Sequence, residues 1–136
     1  MKVVIDTNVF ISAVWRDKSP ESVLEWICAQ PEWQWVVSEE IVKEYKAVLR
    51  REKFSFPREI LQEWEEVIDE NTTQVEVDAG VNFPRDQKDA MFLACALACE
   101  ADYMLTGDRD FSEAQRLVQT AIVSVSMFKK LFCDAS

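Results

Sequence analysis

An α/β fold with a parallel sheet held between helical layers is what this sequence predicts, on three observations. Short β-branched or aromatic runs alternate with longer amphipathic segments along the chain, and parallel strands require such crossovers. The first run, Val3–Ile5, has no polar alternation, as expected of a central strand covered on both faces. The segment from Asp86 to Glu100 is apolar nearly all round, as expected of a buried helix.

In chain order, Val3–Ile5 is the first strand, and Val9–Val14 and Ser22–Cys28 follow as helices. Val23, Trp26 and Ile27 lie at spacings of three and four, Pro20 stands near the start and Pro31 stops the second helix. Trp35–Val37 is the second strand. Ser38 caps a helix running to about Arg51. Pro57 to about Asp69 is amphipathic through Ile60, Leu61, Trp64, Val67 and Ile68, and Val75–Val77, with Thr72 and Thr73 before it, is a weaker third strand. After the Asp86–Glu100 helix come a strand at Tyr103–Thr106, a helix at Phe111–Val118, a strand at Ala121–Val125 and a closing helix at Met127–Phe132. No repeat or linker interrupts this order, and 136 residues fit one domain.

Two absences narrow the chemistry. The chain has no histidine, which excludes catalytic triads, imidazole acid-base pairs and His-ligated zinc or haem. Its only glycines are Gly80 and Gly107, too few for a phosphate-cradling Gly-rich loop. The net charge of −10 argues against a nonspecific basic grip on nucleic acid. It leaves nucleic-acid enzymes open, because carboxylates that bind cations contribute negative charge the metal then cancels. Cys28, Cys95, Cys99 and Cys133 contain no C-x-x-C pair and read as small apolar residues of a reduced, cytoplasmic protein. The apolar run after Lys2 is too short for a signal peptide, and the longest one, Met91–Cys99, is too short to cross a bilayer, so no membrane association is expected.

In such folds ligands bind beyond the carboxyl ends of the strands, where strand order reverses. Acids gather at those places. Asp6 follows the first strand, and since Thr7 or Asn8 can cap the next helix, Asp6 is expected to be free for function. Glu44 borders the apolar stripe of its helix between Ile41 and Val48, whereas Glu39 faces away and Glu40 is already explained by the helix dipole. Asp86 and Asp89 open the most apolar helix, with Asp86 the better cap and Asp89 on the side of Phe92 and Leu93. Thr106, Gly107, Asp108, Arg109 and Asp110 follow the fourth strand. Gly107 can take the positive φ of a tight turn, Asp110 is equally well a helix cap with Glu113, and Asp108 has no such alternative. Converging carboxylates without a basic partner call for a cation, and all-oxygen ligation selects Mg²⁺ or Mn²⁺, a pairing suited to phosphodiester hydrolysis.

The segments V-V-I-D-T-N-V-F, V-S-E-E-I-V-K-E-Y-K-A-V-L, D-Q-K-D-A-M-F-L-A-C-A-L-A and A-D-Y-M-L-T-G-D-R-D-F, in this order and followed by A-I-V-S-V-S-M-F, resemble the PIN-domain family. The likeness is greatest to the branch described as toxins of VapBC-like toxin-antitoxin pairs. The resemblance implies a three-layer α/β/α domain with a mainly parallel five-stranded sheet. It maps the acidic site to Asp6, Glu44, Asp89 and Asp108, with Asp6 and Asp89 as direct ligands of Mg²⁺ or Mn²⁺. Asp110 would be an auxiliary acid, and Thr106 and Asn8 would support the geometry by hydrogen bonds. The activity implied is metal-dependent cleavage of RNA, and the partners implied are a small antitoxin and a second copy in a homodimer. Two other readings stand beside it: PIN nucleases of RNA processing or decay, and a catalytically silent module that binds RNA or protein. A phosphohydrolase or phospho-receiver also carries acids at strand ends, but has Asp where Asn8 stands or a phosphoacceptor after its third strand.

Overall fold

A computed structural model describes residues 1–77, 87–107 and 119–134. Among these, five strands form one parallel sheet: β1 (Lys2–Ile5), β2 (Gln34–Val37), β3 (Thr72–Gln74), β4 (Tyr103–Leu105) and β5 (Ala121–Val123), in the order β3-β2-β1-β4-β5. The helices are α1 (Thr7–Val14), α2 (Lys18–Ala29), α3 (Glu39–Leu49), α4 (Arg58–Asn71), α5 (Gln87–Cys99) and α6 (Val125–Phe128), with a 3₁₀ turn at Glu52–Phe54 and a π turn at Lys129–Cys133.

Chain direction across the sheet reverses once. From β1 the chain steps to β2 and then to β3. It next crosses over to β4 on the opposite flank of β1 and steps outward to β5. Right-handed crossovers therefore put α1 to α4 on one face and α5 on the other. Val3, Val4 and Ile5 are fully buried, as a strand sandwiched between two helical layers must be. α5 packs on β1 and β2 with Phe92, Leu93, Cys95 and Ala96 buried, while Leu97 and Ala98 turn to the exterior, so this helix is not covered all round. On the opposite layer Phe10 stacks on Tyr45 with centroids 4.3 Å apart and meets Trp64 edge-on at 5.7 Å, tying α1, α3 and α4 together.

Several boundaries differ from the sequence expectation for local reasons. β3 lies on Thr72–Gln74, not Val75–Val77, because α4 ends at Asn71 and Thr72 pairs at once with Trp35. As an edge strand it needs no apolar run. Val75 still donates from its backbone to the Val37 carbonyl at 2.9 Å, and Val75 and Val77 pack against the core. α2 begins at Lys18, four residues before Ser22, with Pro20 in its first turn, where no amide need donate. β5 stops at Val123 because Ser124 caps α6, its hydroxyl accepting from the Met127 amide at 3.1 Å. Gly107 does not have positive φ, and a Cβ there would meet nothing within 4 Å, so the turn does not require glycine. The helix expected at Phe111–Val118, and Asp86, Asp108, Arg109 and Asp110, lie outside the described residues.

The Ser38 cap is found as expected, its hydroxyl accepting from the Ile41 amide at 3.2 Å. None of the four cysteines is in a disulfide, and Cys95 and Cys99 are buried in α5. The Cys95 thiol donates to Cys99, which lowers the pKa of the Cys99 thiol and raises that of Cys95. Among the described residues no helix is long and apolar enough to cross a membrane.

Candidate active site

β1 and β4 lie side by side where the direction of the sheet reverses, with Ile5 in register with Leu105. The residues that follow them, Asp6 and Thr106, therefore emerge together at the topological switch point, the usual ligand position in an open parallel sheet. Asp6 is 3% exposed. Its Oδ1 accepts from the Val9 amide at 2.8 Å, and its Oδ2 accepts from the Thr106 hydroxyl at 2.6 Å and from the Gly107 amide at 3.3 Å. In each of these bonds the carboxylate accepts, and the three donors fix its rotamer from the end of β4 and the start of α1.

The expectation that Thr7 or Asn8 would cap α1 is corrected here. Asp6 is itself the N-cap, with extended φ −71° and ψ 162°, while Thr7 is already helical. One carboxylate oxygen caps the helix and the other faces β4, so the cap and the site share one side chain. Among the described residues Thr7 Oγ1, next to Asp6, is buried without a hydrogen-bond partner. Asn8 is exposed in the first turn of α1. Thr106 is buried, and its hydroxyl is the 2.6 Å donor to Asp6 Oδ2.

Glu44 stands at the sixth position of α3, with its side chain 34% exposed and one oxygen 4.0 Å from Arg51. Its neighbour Tyr45 is fully buried and donates its hydroxyl to the carbonyl of Ile5, the residue before Asp6. The Trp35 indole donates to the same hydroxyl at 3.4 Å. Burial, with the charge of Asp6 adding to it, pushes the Tyr45 phenol well above the usual tyrosine range. Tyr45 thus ties this turn of α3 to the end of β1, a role that the sequence hid because Tyr45 reads as one more member of the apolar stripe.

Asp89 is the third residue of α5, and its side chain lies outside what is described; Asp108 and Asp110 lie outside altogether. Among the described residues no group of three or more Cys, Asp or Glu side chains is gathered closely enough to hold a metal. Among the described residues the site brings Asp6 and Thr106 into contact, with α3 anchored beside them. A cleft of about 540 Å³ opens at the carboxyl ends of β2 and β3, lined by Ser38, Glu40, Glu76, Val77, Ala90 and Met91 among others. Glu40, explained in the sequence by the helix dipole alone, borders this cleft, as does Ala90, next to Asp89 in the chain.

The family model described as PIN domain matches residues 2–110. Among solved structures, the chain resembles that of VapBC2 from Rickettsia felis bound to a DNA fragment from their promoter, with TM-score 0.64 at 15% identity over 91% of this chain and 98% of that one. It also resembles VapBC-1 from nontypeable Haemophilus influenzae, with TM-score 0.62 at 17% identity over 93% of this chain and 99% of that one. At these identities the likeness is one of fold. No curated protein matches the sequence.

Proposed function

The chain belongs to the PIN domain family, and from that premise we propose that it is an endoribonuclease dependent on Mg²⁺ or Mn²⁺, the toxin of a toxin-antitoxin pair. The observation that carries this reading is Asp6, a buried carboxylate held at the switch point by three donors. The donor chemistry fits a hard divalent cation. Asp6, Glu44, Asp89 and Asp108 offer oxygen alone, and no histidine exists. Asp6 and Asp89 would hold the ion, with Glu44 and Asp108 completing the set. Bound there, it would supply Lewis acidity to water and to the scissile phosphate.

The remaining work falls to the chain's own groups. The Thr106 hydroxyl and Gly107 amide hold Oδ2, and the Val9 amide holds Oδ1, so Asp6 is positioned before any ligand arrives. The first turn of α1 adds its dipole, which favours anionic groups such as phosphate nearby. Asp110 and Asn8 would support the set from the β4 loop and from α1. The two structural relatives carry the name VapBC. That supports an antitoxin as the protein partner; a homodimer as the assembly and the cytoplasm as the compartment belong to the same proposal.

The test is incubation of purified, antitoxin-free protein with labelled single-stranded RNA, structured RNA and single-stranded DNA in Mg²⁺, Mn²⁺ or chelator. RNA cleavage in either metal and none in chelator is expected. Cleavage that persists in chelator overturns metal dependence, and protein that binds Mn²⁺ yet cuts no RNA supports the silent-module reading. Thr106→Val removes one donor from Asp6 and leaves the metal-ligand candidates in place. We expect cleavage or metal affinity to fall by about 10–100-fold, the usual effect of losing a partner that orients a ligand. A metal titration of the cleavage rate checks it: an unchanged titration curve would show that Thr106 does not position Asp6.

A further inference from the structure

Three aromatic rings gather at the surface where α1 turns into α2 and α3 into α4. Trp15 is 50% exposed, and its ring lies 5.8 Å from Phe54 and 4.9 Å from Phe56, while Phe54 and Phe56 stack at 5.5 Å. The Lys53 ammonium sits 5.1 Å from the centre of the Phe54 ring. Two left-handed residues present the group: Arg16, just after Trp15, and Ser55, between the two phenylalanines. Residues 50–58 read R-R-E-K-F-S-F-P-R, four cations to one acid in a chain whose net charge is −10. Arg50 is bound to Glu65 and Arg51 faces Glu44, but Arg16, Lys53 and Arg58 enter no ion pair among the described residues.

We propose that this patch is a stacking platform for single-stranded RNA, an inference that rests on the ribonuclease reading above and adds a second place at which the substrate is held. The charge pattern selects the occupant. Cations interleaved with aromatic rings, here the exposed Trp15 and the half-buried Phe54 and Phe56, are the pattern that grips phosphates and stacks bases. A polyanion is repelled by most of this acidic surface, so it must engage where the sign is locally reversed. Trp15 lies nine residues beyond Asp6 along α1, about 13 Å at the helical rise. Asp6 and Trp15 flank opposite ends of α1, so RNA held on the platform would need a few nucleotides to span to Asp6. Stacking on ring faces tolerates any base, so the platform adds affinity without fixing sequence.

The experiment is fluorescence-anisotropy binding of a labelled mixed-sequence RNA of about 12 nucleotides, within the range of single-strand sites. It is run in chelator so that no cleavage occurs, beside an abasic strand of equal length. Trp15→Ala is expected to weaken RNA binding by about tenfold, Trp15→Phe to stay close to wild type, and the abasic strand to bind weakly and equally to both. Should Trp15→Ala fail to fold, Lys53→Gln, at an exposed position, reads the same surface and is expected to weaken RNA binding. RNA affinity unchanged by Trp15→Ala or Lys53→Gln overturns the proposal. So does a Trp15→Ala variant that dissociates a wild-type dimer in sedimentation while binding RNA normally, because the patch is then a protein interface. Binding in chelator is read apart from cleavage: Trp15-dependent binding without any cleavage in Mg²⁺ upholds the platform and overturns the nuclease. Cleavage with Trp15-independent binding overturns the platform alone.

Discussion

Asp6→Asn is expected to fold, to melt within a few degrees of wild type and to lose RNA cleavage by about a thousandfold or more. Asparagine caps helices as well as aspartate does, so the bond to the Val9 amide is kept. On the β4 side an amide can donate to the Thr106 hydroxyl in place of accepting from it, and the lost acceptor for the Gly107 amide, a long bond at 3.3 Å, costs about 1 kcal/mol. Catalysis fares differently. The negative charge that would hold a cation is gone, and Lewis-acid stabilisation is worth several kcal/mol, about three orders of magnitude in rate. Paired thermal melts and single-turnover cleavage separate the two effects. A variant that cuts at more than about a tenth of the wild-type rate would remove Asp6 from the mechanism. Asp6→Ala is the contrasting case: it also loses the cap, at about 1 kcal/mol, and removes the carboxylate that the Thr106 hydroxyl donates to.

The largest expected effect on stability is at Tyr45. Its ring stacks on Phe10, its hydroxyl reaches the Ile5 carbonyl, and the Trp35 indole donates to that hydroxyl in a fully buried position. Tyr45→Phe keeps the ring and removes the hydroxyl, leaving the indole donor buried without a partner, at about 1–3 kcal/mol. For a chain of this size that lowers Tm by roughly 4–12 °C. Tyr45→Ala adds a cavity, and the total of about 3–5 kcal/mol or more consumes much of the 5–15 kcal/mol typical of whole-domain stability. Thermal melts of the two variants check this. A Tyr45→Phe melt indistinguishable from wild type would mean that the hydroxyl does not brace the end of β1.

Much of the architecture is legible in the residues because parallel α/β folds impose strong local patterns. Val3–Ile5, the Ser38 cap and the stripe at Ile41 and Val48 each carry a signal that survives into the structure. β3 is read three residues late because an edge strand can be built from threonines, and the eye follows Val75 and Val77, whose apolar side chains pack on the core without extending the strand. At the site, the position of Asp6 at a strand end is legible, but its second task is not. Sequence offers Thr7 and Asn8 as equally good caps, and only the backbone at Asp6, still extended as it leaves β1, decides which residue caps. The pairing of Asp6 with Thr106 spans 100 residues and depends on strand order, which no local pattern encodes. Gly107 illustrates the opposite error, since glycine suggested a left-handed turn that the structure does not use.

The most direct test of the central claim, that Asp6 anchors a divalent cation at the switch point, is Mn²⁺ binding followed by the loss of the free-ion electron paramagnetic resonance signal. Wild type is to be compared with Asp6→Asn, Asp108→Asn and, as a surface control, Glu39→Gln, whose side chain is exposed and pairs with Lys43. The account predicts saturable binding by wild type and the Glu39 variant, and affinity weaker by about tenfold or more in the other two. Mn²⁺ bound as tightly by Asp6→Asn as by wild type would contradict it.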